Sequence, residues 1–178
     1  MVLTAIGPDR VGIVDDLSGA VSGAGCNIEE STMAVLGGEF AVIMLVSGPS
    51  GSVEALSRSL PGLGEQLALH VECRATRETR AAEPGRPYLL EAVSLDTPGI
   101  VHSVTAVLRG HGINIERLET DTASAPWTGA PMFRMKAHIA IGPAVSVPRL
   151  KEDLFRLQQE HDLDIALKPV LTTLPAAP

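Results

Sequence analysis

The chain has 178 residues, 45% of them apolar, and 21 acidic against 14 basic side chains, giving a formal charge of −7. That field opposes a direct DNA or RNA partner, and one Tyr, one Trp and three Phe leave few faces on which single-stranded bases could stack. No apolar run approaches the ~20 residues of a membrane-spanning helix. Met1 to Ile6 carry no basic leader, and Cys26 and Cys73 form neither a disulfide framework nor a zinc-spaced pair, so free thiols in the cytoplasm are expected.

Taken in chain order, residues 2–6 read as an apolar strand, followed by a turn and a helix over 11–22 with Val14, Leu17 and Val21 at helical spacing. Gly23 and Gly25 stop that helix. Residues 27–36 and 40–47 read as two strands joined at Gly37-Gly38, a hairpin signal. A helix over 53–69, interrupted near Pro61-Gly62, and a strand over 70–75 complete the first half. Residues 76–87 are charged, contain Pro84-Gly85 and lack periodicity, which is linker composition. The second half repeats the order, with strands over 88–95, 114–122, 132–141 and 164–169 and helices over 98–109 and 147–160. The expected organisation is one domain over 1–75, the linker, a second domain over 88–172 and a tail over 173–178.

An internal repeat carries this reading. At an offset of 87, the difference between Gly99 and Gly12, the stretch from Asp9 to Val14 falls on Asp96 to Val101. In the same register Gly23 to Glu29 falls on Gly110 to Glu116. A twice-repeated βαββαβ order predicts an α+β chain of two ferredoxin-like units, each an antiparallel sheet with both helices on one face. In the second unit Arg134, Lys136 and His138 alternate with Phe133, Met135, Ala137 and Ile139, so the free face can meet water. In the first unit, residues 40–46 are apolar on both sides, so the free face is expected to be covered, by the other half or by a second copy.

The two repeats agree best at the turn between first strand and first helix. Thr97 and Pro98 read as an N-cap and first helical residue, and Gly12 and Gly99 leave room for backbone approach. Amides at a helix start suit a carboxylate, while Asn27 and Asn114, at the head of the next strand, offer groups that donate and accept, as a free amino acid requires. A plain alternative is that the glycines only permit tight helix–sheet packing and the Asn residues only cap turns. The five histidines lack ligand spacing, and Asp15-Asp16 and Glu29-Glu30 are adjacent pairs whose side chains do not face one another. No nucleophile elbow, Walker loop or dinucleotide fingerprint occurs. No metal, cofactor or enzymatic activity is expected.

The repeated Asp-x-x-Gly-Ile-Val turn, the Gly-x-Gly-x-Asn-Ile-Glu stop and the βαββαβ order resemble tandem ACT domains. Gly7-Pro8-Asp9-Arg10, with the segment from Ala125 through Pro126, Trp127 and Thr128 to Phe133, resembles the glycine cleavage system transcriptional repressor group within that family. The resemblance implies an amino-acid-responsive regulator that controls transcription or metabolism through a protein partner such as a transcription factor. It implies a ligand held by Asp9, Arg10, Val11, Gly12 and Ile13 with Asn27, and by Asp96, Thr97, Pro98, Gly99 and Ile100 with Asn114, often at a domain or subunit interface. A small amino acid, glycine or serine, is the expected ligand, and a homodimer is a further expectation. Two other readings stay open: a stand-alone sensor subunit of an amino-acid or one-carbon enzyme, and a purely structural dimerisation module.

Overall fold

The computed structural model describes residues 1–76, 85–125 and 129–170. The chain divides into two compact units, Met1–Thr79 and Arg80–Pro178. Unit 1 runs β1 (Val2–Pro8), α1 (Ile13–Gly23), β2 (Asn27–Leu36), β3 (Glu39–Ser47), α2 (Ser50–Leu67) and β4 (His70–Arg74). Unit 2 repeats this as β5 (Arg86–Leu95), α3 (Ile100–Gly110), β6 (Ile115–Ser124), β7 (Pro131–Ile141), α4 (Val147–His161) and β8 (Asp164–Pro169). Both sheets are antiparallel, with strand orders β2-β3-β1-β4 and β6-β7-β5-β8. The α+β ferredoxin-like fold read from the sequence is therefore present twice.

The core of unit 1 is built by strand alternation meeting helical periodicity. Leu3 and Ala5 of β1 and Phe40, Val42, Met44 and Val46 of β3 face Ile13, Leu17 and Val21 of α1 and Leu56 and Leu60 of α2, all buried. Unit 2 does the same with Leu90, Ala92, Met135, Ala137 and Ile139 against Val104, Leu108, Leu150 and Leu154. Each fully buried side chain of this kind stabilises by about 1.5–3 kcal/mol. The cores are otherwise aliphatic, with Phe40 the one fully buried aromatic side chain among the described residues.

Several expected boundaries move. The helix expected over 53–69 runs without interruption from Ser50 to Leu67, with Pro61 inside it. Pro61 faces solvent, so the carbonyl of Ser57 that loses its amide partner can turn to water. Meanwhile Leu56, Leu60 and Gly64 continue the buried stripe through that point. Arg86 and Pro87, expected in the linker, are the first residues of β5, paired with Ile141 and Ala140. Proline is admitted near a strand start because one missing ladder donor is tolerated there. The rest of the expected linker and the tail fall largely on residues 77–84 and 171–178, outside the described residues.

The two outer sheet faces differ in kind. In unit 2 it is an ionic lattice: Lys168 bonds Glu91 at 2.6 Å, Arg134 bonds Asp121 at 2.9 Å, and Arg117 meets Glu119 at 2.8 Å. In unit 1 Ile6, Ile43 and Leu45 stand on the outer face at 50%, 51% and 37% exposure. These are the apolar side chains over which a cover is expected.

Candidate functional site

The turn joining β1 to α1 is placed by its two neighbours. The amide of Asp9 donates to the carbonyl of Gly38 at 2.9 Å, which pins the turn to the tip of the β2–β3 hairpin. Ile13, buried to 1%, anchors its other end in the core, while Val11 between them is 99% exposed. Gly12 has φ 95° and ψ −6°, the values of the third residue of a type II turn, and is the N-cap of α1 with no side chain capping the helix. The first amides of α1 thus have no intrahelical acceptor and no side-chain cap. Arg10 lies over this helix start, with one guanidinium nitrogen 2.9 Å from Asp16 and another donating to the Val11 carbonyl at 3.2 Å.

Unit 2 reproduces the turn with different side chains. The Asp96 amide donates to the Pro131 carbonyl at 3.0 Å, Ile100 is buried, and Gly99 has φ 98° and ψ −6°. The expected pairing of Thr97 as N-cap and Pro98 as first helical residue is corrected: the N-cap is Gly99, and Pro98-Gly99 form the turn before it. The type II preference for Pro followed by a left-handed Gly outweighs the capping preference of Thr. The first turn of α1 carries Asp15 and Asp16, whereas α3 carries no acidic residue there. The positive end of the α3 dipole therefore has no carboxylate within its own first turn to offset it.

Tight packing is not why these glycines are present. A Cβ at Gly99 would meet nothing within 4 Å, and one at Gly12 only the tip of Arg10 at 3.8 Å. The requirement is the left-handed backbone, since no backbone atom crowds the Cβ position of either glycine.

Asn27 and Asn114 are not beside these turns. Pro8 pairs with Glu39 at one end of β3, and Asn27 pairs with Ser47 at the other. At ~3.3 Å per residue the two ends are about 26 Å apart, far longer than glycine or serine. Asn114 likewise precedes Ile115, which pairs with Ile139, while the Asp96 turn bonds Pro131 at the opposite end of β7. Within one unit the turn and the Asn do not share a ligand.

The repeated stop motif has a backbone role instead. Both repeats close the helix alike, with Gly25 and Cys26 donating to Ser22 and Val21, and Gly112 and Ile113 to Arg109 and Leu108. Both then break strand register at the same place, between Ile28 and Glu30 and between Ile115 and Arg117. At the first of these bulges the Ser47 hydroxyl and then the Asn27 amide, at 3.1 Å, donate to Glu29 and hold its carboxyl below the usual range. What the sequence reading missed is the hairpin-tip carbonyls of Gly38 and Pro131, which register alone brings to the turns. Pro126, Trp127 and Thr128 lie outside the described residues. Among the described residues no cluster of three or more His, Cys, Asp or Glu could hold a metal ion. His70 pairs with Glu72 at 3.0 Å and His111 with Asp153 at 2.9 Å. No described helix is long and apolar enough to cross a membrane.

Comparison with known proteins adds three findings. The ACT domain profile matches residues 1–74. The glycine cleavage system transcriptional repressor of Escherichia coli (strain K12) is 37% identical over 126 residues, 70% of this chain and 66% of that protein, so the match spans just under two thirds of the relative. Among solved structures, an unknown protein from Galdieria sulphuraria superimposes with a TM-score of 0.78 at 37% identity, covering 96% of this chain and 97% of that one. A structure provisionally named a glycine cleavage system transcriptional repressor does so with a TM-score of 0.73 at 26% identity, covering 95% of each chain.

Proposed function

Residues 1–74 match the ACT domain profile, and from that premise we propose that the chain is a tandem ACT-domain protein, an amino-acid-responsive regulator that acts in the cytoplasm through contacts with a protein partner. The observation that carries this reading is the doubled turn: Gly12 and Gly99 share dihedrals within a few degrees, and each opens a helix that no side chain caps. A carboxylate placed there accepts from the helix amides and meets the positive end of the dipole. At the first turn Arg10 adds a guanidinium, which Asp16 already engages and a ligand carboxylate would share.

Glycine or serine is the proposed ligand, since the turn presents donors for a carboxylate and a ligand this small needs little more. Within its own unit neither Asn27 nor Asn114 reaches such a ligand, and a second copy of the chain bringing one of them to a turn is the reason a homodimer belongs to the proposal. The relative's description as a transcriptional repressor supports control of transcription through a protein partner. The charge of −7 argues against a grip on DNA by this chain. No catalytic role is proposed.

The test is calorimetric titration of the full chain with the twenty amino acids, repeated on Gly12→Val and Gly99→Val. A small ligand is limited to about −1.5 kcal/mol per heavy atom, so dissociation constants on the order of micromolar to millimolar are expected. Loss of the response in the variants supports the reading, and an unchanged response in both rejects it.

A further inference from the structure

A groove of about 480 Å3 on unit 2, running from the first turn of α3 to the entrance of β6, has no counterpart chemistry in unit 1. One wall is the outer side of α3, where His102, Thr105, Ala106 and Arg109 recur at spacings of three and four and so share a face. The other is the entrance to β6, with Ile113, Asn114 and Ile115. No acidic residue lines it, in a chain with a formal charge of −7. Neither the His102 imidazole nor the Arg109 guanidinium has a partner among the described residues. At the repeat offset, the positions of His102 and Arg109 are Asp15 and Ser22 in unit 1. The basic character belongs to one repeat only.

The geometry points to this groove as a binding site for a small organic carboxylate with an apolar body. The guanidinium is the single permanent cation of the groove and its planar fork matches a carboxylate in a bidentate arrangement. Asn114 follows the C-terminal end of α3, the end that carries Arg109, and its amide can donate to the same group. His102 lies two helical turns away, about 10 Å along the axis. Between the two, Ala106 and the partly buried Ile115 give an apolar floor for the ligand's body. A doubly charged inorganic anion would use neither the floor nor the distance to His102. The groove contains none of the residues Asp96 to Gly99 but shares Asn114 with the dimeric amino-acid site proposed above, so the test must tell the two apart.

Titration of the full isotopically labelled chain with butyrate, with butylamine and inorganic phosphate as comparison probes at constant ionic strength, tests this. Butyrate is expected to shift the amides of residues 102–115 saturably with one site per chain, and at least tenfold more tightly than either comparison probe. Arg109→Gln is expected to weaken butyrate at least tenfold with an unchanged circular dichroism spectrum, while Arg149→Gln, outside the groove, leaves it as in the parent. Because Arg109 is exposed, its replacement does not threaten the core. Absence of saturable shifts, equal binding of phosphate or butylamine, or full butyrate binding by Arg109→Gln overturns the proposal. Glycine and serine titrations of the parent chain, beside its butyrate titration, keep it apart from the turns. Failure of those ligands with butyrate intact rejects the sensor reading alone.

Discussion

The backbone amide of Asp9 and the carbonyl of Gly38 are joined by a 2.9 Å hydrogen bond, which ties the start of α1 to the tip of a hairpin from which it is separated by 29 positions in sequence. The turn is therefore held from both sides, by this bond and by the buried Ile13, while its middle stays open to solvent. Its conformation depends on Gly12. Replacing Gly12 or Gly99 with Val forces a β-branched residue into the left-handed region, a strain of about 1–3 kcal/mol. Each variant is expected to unfold at lower urea concentration by that amount while keeping its sheet signal. Unchanged midpoints would mean the turn relaxes freely and is not pre-set for a ligand.

Val42 and Ile43 are neighbours on β3 with opposite fates. Val42 is 6% exposed and faces the helices, whereas Ile43 is 51% exposed on the outer face. Val42→Lys is expected to unfold unit 1, because a buried unpaired ammonium costs several kcal/mol. Ile43→Lys is expected to fold and, if the apolar face joins two copies, to halve the mass seen by light scattering. A folded Ile43→Lys with the parent's dimeric mass would place the interface elsewhere.

Glu29 gives a pH prediction whose sign follows from its partners. The Ser47 hydroxyl, and after it the Asn27 amide, depress its folded-state pKa. A depressed carboxylate contributes stability above its unfolded value and loses it as pH falls through the folded one. Ser47→Ala is expected to move the Glu29 carboxyl midpoint up toward the ordinary range, and further than Asn27→Ala does, as read by carbon NMR. Equal midpoints in parent and both variants would contradict the assigned bonds.

Pro61 is an exposed interruption that the 18-residue helix α2 absorbs. Pro61→Ala restores an amide to the Ser57 carbonyl and is expected to stabilise unit 1 by about 1–3 kcal/mol in urea titration. A destabilised variant would show that the proline ring makes a contact of its own.

The repeat made most of the architecture legible, because two copies of one pattern constrain each other where a single copy is ambiguous. Pro61 was misread since its local preference is real and only the exposure of the site, unknown from sequence, makes it tolerable. Thr97-Pro98 was misread because two turn preferences compete over the same four residues. The pairing of Gly12 with Asn27 failed for a different reason, and one visible in principle. A strand–helix–strand crossover returns the chain to the end of the sheet where the first strand began, so the head of β2 cannot adjoin the end of β1. The topology already inferred contained that fact.

Calorimetry on the full chain with glycine and serine, alongside Gly12→Val and Gly99→Val, tests the central claim most directly. The account predicts saturable heat with a micromolar to millimolar dissociation constant, reduced in each single variant that bears a working turn and absent from the double variant. No heat with any amino acid at millimolar concentration, or parent-like binding by the folded double variant, would contradict it.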